Sequence, residues 1–231
     1  MKTIGLIGGL SWESTAEYYR VINEAVKERL GGFHSARMVL HSVDFADIEV
    51  LQKEGRWEDA AEALLEAGRS IEAGGADFGL ICANTMHKVY DRVRAGLSIP
   101  LIHIVDVTAM KIRAAGLKTV GLLGTRYTME DDFYKSRLAR KHGIESLIPD
   151  KEDRDLLHKT LYEELCLGDI RPESRRAIRE MMAKLGKRGA RGIILGCTEL
   201  PLIIKPGDSD LPLFDTTSIH ALAAVDEALG D

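Results

Sequence analysis

A thiol followed directly by a hydroxyl and a carboxyl, in Gly196-Cys197-Thr198-Glu199, is the most reactive grouping in the sequence. Cys197 comes straight after the apolar run Gly192 to Gly196, which reads as a buried strand. A helical turn after that strand would lower the thiol pKa from its ordinary value of about 8.5. A thiolate there is a base or a nucleophile, whereas a merely buried cysteine is a small apolar filler. A second grouping, Ala83-Asn84-Thr85-Met86-His87, offers Asn84 and Thr85 as amide and hydroxyl partners for a carboxylate or an amino group. Ser11, in Gly8-Gly9-Leu10-Ser11-Trp12, and Thr125 and Thr128, in Gly124-Thr125-Arg126-Tyr127-Thr128, stand at expected helix starts. Free N–H groups and hydroxyls at such places receive carboxylates, although either turn alone serves equally well as a plain cap. Thr128 followed three residues later by Asp131 resembles a capping box.

Other chemistries lack their residues. Gly5-Leu6-Ile7-Gly8-Gly9 does not have the G-x-G-x-x-G spacing of a dinucleotide fold, and there is no G-x-x-x-x-G-K-[ST], G-x-S-x-G or H-E-x-x-H. The seven histidines are scattered without ligand spacing, so no metal is expected. A net charge of −5 leaves no basic stripe for phosphates, so nucleic acid is not an expected partner. The longest apolar runs, such as Leu200-Pro201-Leu202-Ile203-Ile204, fall far short of the roughly 18 residues of a membrane span. The N-terminal stretch is broken by Gly5, Gly8 and Gly9, unlike a signal peptide. Three cysteines without C-x-x-C spacing suit a reducing compartment, and a cytoplasmic location is expected. Of the other two, Cys82 is expected to point away from the Ala83 side and Cys166 to fill a helix face.

At 231 residues, with 45% hydrophobic and 29% charged residues, the chain has the material for one large or two small globular domains. Apolar runs at Lys2 to Gly8, Met38 to Val43, Phe78 to Cys82, Pro100 to Val105, Val120 to Leu123, Gly192 to Gly196 and Leu211 to Phe214 read as strands. Ser11 to Leu30, Trp57 to Ile71 and the stretch after Pro172 carry apolar residues at helical spacing. Strands alternating with helices predict an α/β fold with parallel sheets covered on both faces.

The halves echo one another. Lys2-Thr3-Ile4-Gly5-Leu6-Ile7-Gly8 reads against Lys118-Thr119-Val120-Gly121-Leu122-Leu123-Gly124, 116 residues on, and the same offset pairs Tyr18 with Tyr134. Gly75-Ala76 through Asn84-Thr85 reads against Gly189-Ala190 through Thr198-Glu199, and Pro100-Leu101-Ile102 against Pro212-Leu213-Phe214. The expectation is two pseudo-symmetric units of about 115 residues, each a parallel sheet flanked by helices, with the site in the cleft between them. This symmetry sets Ala83, which cannot carry a proton, at the place corresponding to Cys197.

Gly8-Gly9 with Ser11-Trp12-Glu13-Ser14-Thr15, Asn84-Thr85, Gly124-Thr125, Gly196-Cys197-Thr198-Glu199, Phe214-Asp215-Thr216 and His220 resemble the aspartate/glutamate/hydantoin racemase superfamily, nearest its broad-specificity amino-acid racemase branch. The resemblance implies two α/β domains, 1–98 plus 208–231 and 99–207, and an amino-acid racemase or epimerase that is PLP-independent and needs no cofactor or metal. It further implies a homodimer acting on an amino-acid or dicarboxylic-acid substrate. Cys197 matches the second of two catalytic positions flanking the substrate α-carbon. Asn84, Thr85 and Thr198 match residues that hold the α-carboxylate and amino groups, with Thr125 or Thr128 assisting. The basic residues that aspartate-specific members place against the distal carboxylate have no counterpart in Asp44-Phe45-Ala46-Asp47 or Leu165-Cys166-Leu167, which implies a tolerant pocket. Gln52 and Glu199 are candidates for polar contacts to the substrate. The first catalytic position departs from the pattern: Cys or Thr is usual, and Ala83 stands here. That leaves three readings: a racemase with water or Thr85 serving the second face, a single-thiol decarboxylase of malonate-type acids, or a homologue that only binds small acids.

Overall fold

Short segments rich in β-branched residues or leucine, several of them closed by glycine, fold as parallel strands in both halves. The computed structural model describes residues 1–230. In chain order the elements begin β1 (Ile4–Gly8), α1 (Trp12–Leu30), β2 (Met38–Ser42), α2 (Phe45–Lys53), α3 (Trp57–Ala73), β3 (Phe78–Ile81), α4 (Tyr90–Ala95), β4 (Leu101–Ile102) and α5 (Ile104–Ala114). They continue with β5 (Thr119–Gly124), α6 (Arg126–Glu130), α7 (Asp132–His142), β6 (Glu145–Leu147), α8 (Lys151–Glu163), α9 (Pro172–Lys187), β7 (Ile193–Gly196), α10 (Leu200–Ile203), β8 (Leu213–Asp215) and α11 (Thr216–Leu229). The sheets run β2-β1-β3-β4 and β6-β5-β7-β8, so the second half repeats the strand order of the first. All pairings are parallel.

The chain divides into a unit of Met1–Ile104 joined by the stretch from His220 onward, and a unit of Val105–Ile219. These limits differ from the expected 1–98 plus 208–231 and 99–207, whose last residue, Asp231, lies outside the described residues. The reason is strand pairing. Leu101 and Ile102 pair with β3, which keeps residues to 104 in the first unit, and Leu213 to Asp215 pair with β7, which keeps β8 in the second.

In the first unit, β1 and β3 are buried throughout, as central strands covered on both faces must be. One face packs Ile7, Leu64, Leu65, Ile71, Ile81 and Met86 together. The other packs Ile4, Leu6, Tyr18, Phe78, Leu80 and Val225. The stripe Ala60, Ala61, Leu64, Leu65, Gly68 and Ile71 of α3 faces the sheet at helical spacing, which is why Trp57–Ala73 is a helix. In the second unit β5 and β7 are again central, and Ile178, Met181, Met182 and Leu185 of α9 are the buried stripe behind Pro172 at the helix start.

Two segments differ from the expected elements. Pro100 to Val105 is strand only at Leu101–Ile102, because α5 begins at Ile104 within the same apolar run. β6 carries no apolar alternation: it is a three-residue edge strand with an exposed first residue, held by pairing to β5.

Candidate active site

In a sheet ordered 2-1-3-4 the crevice opens at the carboxyl ends of the first and third strands, where successive connections leave in opposite directions. In the first unit those ends are the turns after β1 and β3; in the second, the turns after β5 and β7. All the candidate side chains except Gln52 are on these four turns.

After β1 the chain bends at Gly9, whose φ of +79° and close approach to Val43 admit no side chain: a Cβ would lie 2.2 Å from the Val43 carbonyl oxygen. Ser11 follows, buried, as the N-cap of α1. Its Oγ accepts from the Ser14 N–H at 3.4 Å, and its carbonyl accepts from the Thr15 hydroxyl at 2.8 Å. After β3 stand Ala83, Asn84 and Thr85, all buried. Gln52, the one candidate from α2, is brought against this turn, its Nε2 donating to Met86 Sδ at 3.1 Å. Ala83 and its neighbour Cys82 diverge. Ala83 belongs to the α3-side core and Cys82 to the Tyr18-side core, as alternation along a strand requires. Burial pushes the Cys82 thiol far up, so it is an inert core residue.

His87 braces this turn. The Ile104 N–H donates to His87 Nε2 at 3.1 Å, so Nε2 carries no proton and Nδ1–H donates to the Ala83 carbonyl at 2.7 Å. A neutral ring therefore fixes the carbonyl just before Asn84. His220, the first residue of the returning segment, is locked in the opposite tautomer: Nε2–H donates to the Ile102 carbonyl at 3.0 Å and Nδ1 accepts from the Tyr18 hydroxyl at 2.9 Å. Burial pushes the His220 pKa down to about 4.

In the second unit Thr125 caps α6, its Oγ1 accepting from the Thr128 N–H at 3.2 Å and lying 3.2 Å from the Thr128 hydroxyl. This corrects the expected box: the cap is Thr125 paired with Thr128, while Asp131 is the N-cap of α7 and makes no side-chain capping bond to that helix. Gly124 and Gly196 pair directly in the β5–β7 ladder. Backbone packing there is so close that a Cβ on Gly196 would lie 2.7 Å from the Leu123 carbonyl oxygen. This glycine pair brings the Thr125 and Cys197 turns side by side.

Cys197, 7% exposed, donates from Sγ to Glu199 Oε2 at 2.8 Å. Thr198 Oγ1 donates to the same carboxylate, 3.0 Å from Oε1 and 3.1 Å from Oε2. Burial first, then the Glu199 carboxylate and Cys166, push the Cys197 thiol well above its ordinary pKa. This corrects the expectation of a lowered pKa: α10 is only four residues long and starts at Leu200, too short and too late to offset burial beside an anion. Glu199, a candidate for a substrate contact, lies on the thiol and on the Thr198 hydroxyl. Cys166 is on a 3-10 turn, Leu165–Leu167, half-buried, rather than on a helix face.

Two further residues, His87 and the buried Thr217 at the start of α11, are not singled out by type or spacing. Histidine and threonine are common in turns, so only the hydrogen bonding distinguishes them. Among the described residues no three His, Cys, Asp or Glu side chains are grouped to hold a metal ion, and no helix is long and apolar enough to cross a membrane.

A family model described as Asp/Glu/Hydantoin racemase matches residues 7–224. The chain belongs to the Asp/Glu/hydantoin racemase family. A crystal structure of a candidate Asp/Glu racemase from Yersinia pestis is 53% identical, covering 99% of this chain and 100% of that one, with a TM-score of 0.92. An aspartate racemase homologue from Pyrococcus horikoshii OT3 is 34% identical over 99% of this chain and 100% of its own, with a TM-score of 0.85. A broad-specificity amino-acid racemase of Bacillus subtilis is 23% identical over 96% of each chain. Racemases are isomerases, and this family member is an enzyme of that class.

Proposed function

We propose that the protein is a cofactor-independent amino-acid racemase, of aspartate/glutamate or broad specificity, in which Cys197 exchanges the substrate α-proton. The observation that carries this reading is the buried Cys197–Glu199 pair at the carboxyl end of β7, in a chain of the racemase family. In the resting enzyme the proton stays on sulfur, held there first by burial and then by the adjacent carboxylate. When substrate binds, its ammonium charge stabilises the thiolate, so the thiol proton passes to Glu199 and the thiolate removes the α-proton. The carbanion electrons delocalise into the α-carboxylate, held by Asn84, Thr85 and Thr198 with help from Ser11, Thr125 and Thr128. Return of a proton from Cys197 regenerates the same enantiomer; inversion needs a donor on the other face.

That donor is where this chain departs from its family. Ala83, at the first catalytic position, has a methyl group that takes and returns no proton, so inversion depends on water or on the Thr85 hydroxyl. Racemisation is therefore slow relative to exchange on the Cys197 face. Gln52 contributes to the substrate side-chain pocket, and a cytoplasmic homodimer is the assembly the resemblance supports.

Chiral chromatography of a panel of L- and D-amino acids incubated with enzyme tests this reading. Slow interconversion by the wild type, falling about a thousand-fold or more in Cys197→Ala, is expected. Interconversion unaffected by that substitution contradicts the assignment. Carbon dioxide release from substituted malonates without any racemisation would show the decarboxylase instead.

A further inference from the structure

Four polar residues, Asp215 to Ser218, form the turn from β8 into α11. Three of them have identifiable structural work. Asp215 Oδ1 accepts the N–H groups of Thr217 at 2.9 Å and Ser218 at 3.2 Å, and its Oδ2 accepts the Ser218 hydroxyl at 2.6 Å. The Thr216 hydroxyl donates to the Leu195 carbonyl at 2.7 Å, tying the start of α11 to β7 two residues before Cys197. Thr217 differs: it is 3% exposed, and its Oγ1 is buried with no hydrogen-bond partner among the described residues.

Its position is not arbitrary. β7 and β8 pair in parallel as far as Leu195 and Asp215, so Cys197 and Thr217 each stand two residues beyond the last paired position, at the same end of neighbouring strands. A buried hydroxyl without a partner is destabilising, and a methyl of the same shape would remove that cost. A ligand atom that takes the hydrogen bond removes it too. The first turn of a 14-residue helix carries partial positive charge, which favours an anionic oxygen over an ammonium group there.

We infer that Thr217 is a substrate-binding residue of the Cys197 site, its hydroxyl donating a hydrogen bond to a carboxylate oxygen of the bound amino acid. The assignment rests on the racemase reading and adds to it a contact that Ala83 does not affect.

Calorimetric binding of aspartate, glutamate and alanine to the wild type, Thr217→Val and Thr217→Ser, with steady-state α-proton exchange, tests it. Thr217→Val is expected to weaken binding and raise KM by about ten-fold or more, with kcat little changed, while Thr217→Ser restores most of the affinity. The thermal midpoint of Thr217→Val is expected to equal or exceed that of the wild type, since no bond within the protein is lost. An equal loss for all three ligands assigns the bond to the α-carboxylate; a loss confined to aspartate and glutamate assigns it to the distal one. Unchanged affinity in Thr217→Val overturns the inference while leaving the racemase reading standing. So does a lowered thermal midpoint with affinity intact, which marks a structural hydroxyl. A wild type that neither binds nor exchanges any amino acid overturns the racemase reading and this assignment with it.

Discussion

The two units share one strand order but not one chemistry. At the end of β7 stand an ionisable thiol and a carboxylate 2.8 Å apart; at the corresponding end of β3 stand a methyl group and a neutral histidine holding the backbone. The repeat-related tyrosines diverge as well. Tyr18 donates its hydroxyl proton to His220, whereas the hydroxyl of Tyr134 is buried with no hydrogen-bond partner among the described residues. The two units thus share the sheet order that the hydrophobic cores require and differ in the groups at their strand ends. The β7 turn pairs a thiol with a carboxylate where the β3 turn carries Ala83.

After Cys197 itself, the largest effect expected from disturbing this asymmetry is at Glu199. In Glu199→Gln burial still holds the proton on sulfur but the anion that adds to it is gone, so Cys197 ionises at lower pH than in the wild type and alkylation by iodoacetamide quickens. At the same time α-proton exchange slows about a hundred-fold, because the acceptor of the thiol proton is gone. Faster alkylation with undiminished exchange would show that Glu199 only hinders the thiol.

Restoring a proton carrier to the other unit has the opposite sign. Ala83→Thr or Ala83→Cys is expected to raise racemisation by about ten-fold or more with little change in exchange on the Cys197 face, measured side by side by chiral chromatography and NMR. Equal racemisation rates in Ala83→Thr and the wild type would mean that position 83 is not the vacant catalytic place.

A smaller, purely structural effect is expected at His220. Its folded pKa of about 4 lies below the unfolded value of about 6.5, so the unfolded chain binds the extra proton first. The stabilisation is complete above about pH 6.5 and is lost as the pH falls toward 4, amounting to roughly 3 kcal/mol at most. Denaturant midpoints measured across that window should fall for the wild type and fall less steeply for His220→Asn. Parallel slopes would assign the acid sensitivity elsewhere.

Much of this arrangement is legible in the residues themselves. Glycine-closed apolar runs mark β1, β5 and β7 because central parallel strands must be apolar on both faces, and the echo between Lys2-to-Gly8 and Lys118-to-Gly124 carries the repeated topology. β6 is hidden because Glu145-Ser146-Leu147 is an edge strand whose pairing owes nothing to its side chains. The domain limits are hidden too, because the chain crosses between units inside the apolar run around Ile104, where composition does not change. At the site, the residue types and strand-end positions of Cys197, Asn84, Thr125 and Ser11 are readable. The direction of the Cys197 shift is not, since it turns on burial and on Glu199 folding back onto the sulfur. Thr217 is invisible for a related reason: in sequence it is one of three consecutive hydroxyl residues, and only the bonds made by Thr216 and Ser218 single it out.

That one unit supplies the proton carrier and the other does not is tested most directly by incubating each enantiomer of aspartate with the enzyme in deuterated water and following the α-proton by NMR. One enantiomer is expected to lose its α-proton to deuterium much faster than its mirror image accumulates, with Cys197→Ala exchanging neither. Exchange and inversion at matching rates from both enantiomers would contradict this asymmetry, because two working acid–base groups would then be present.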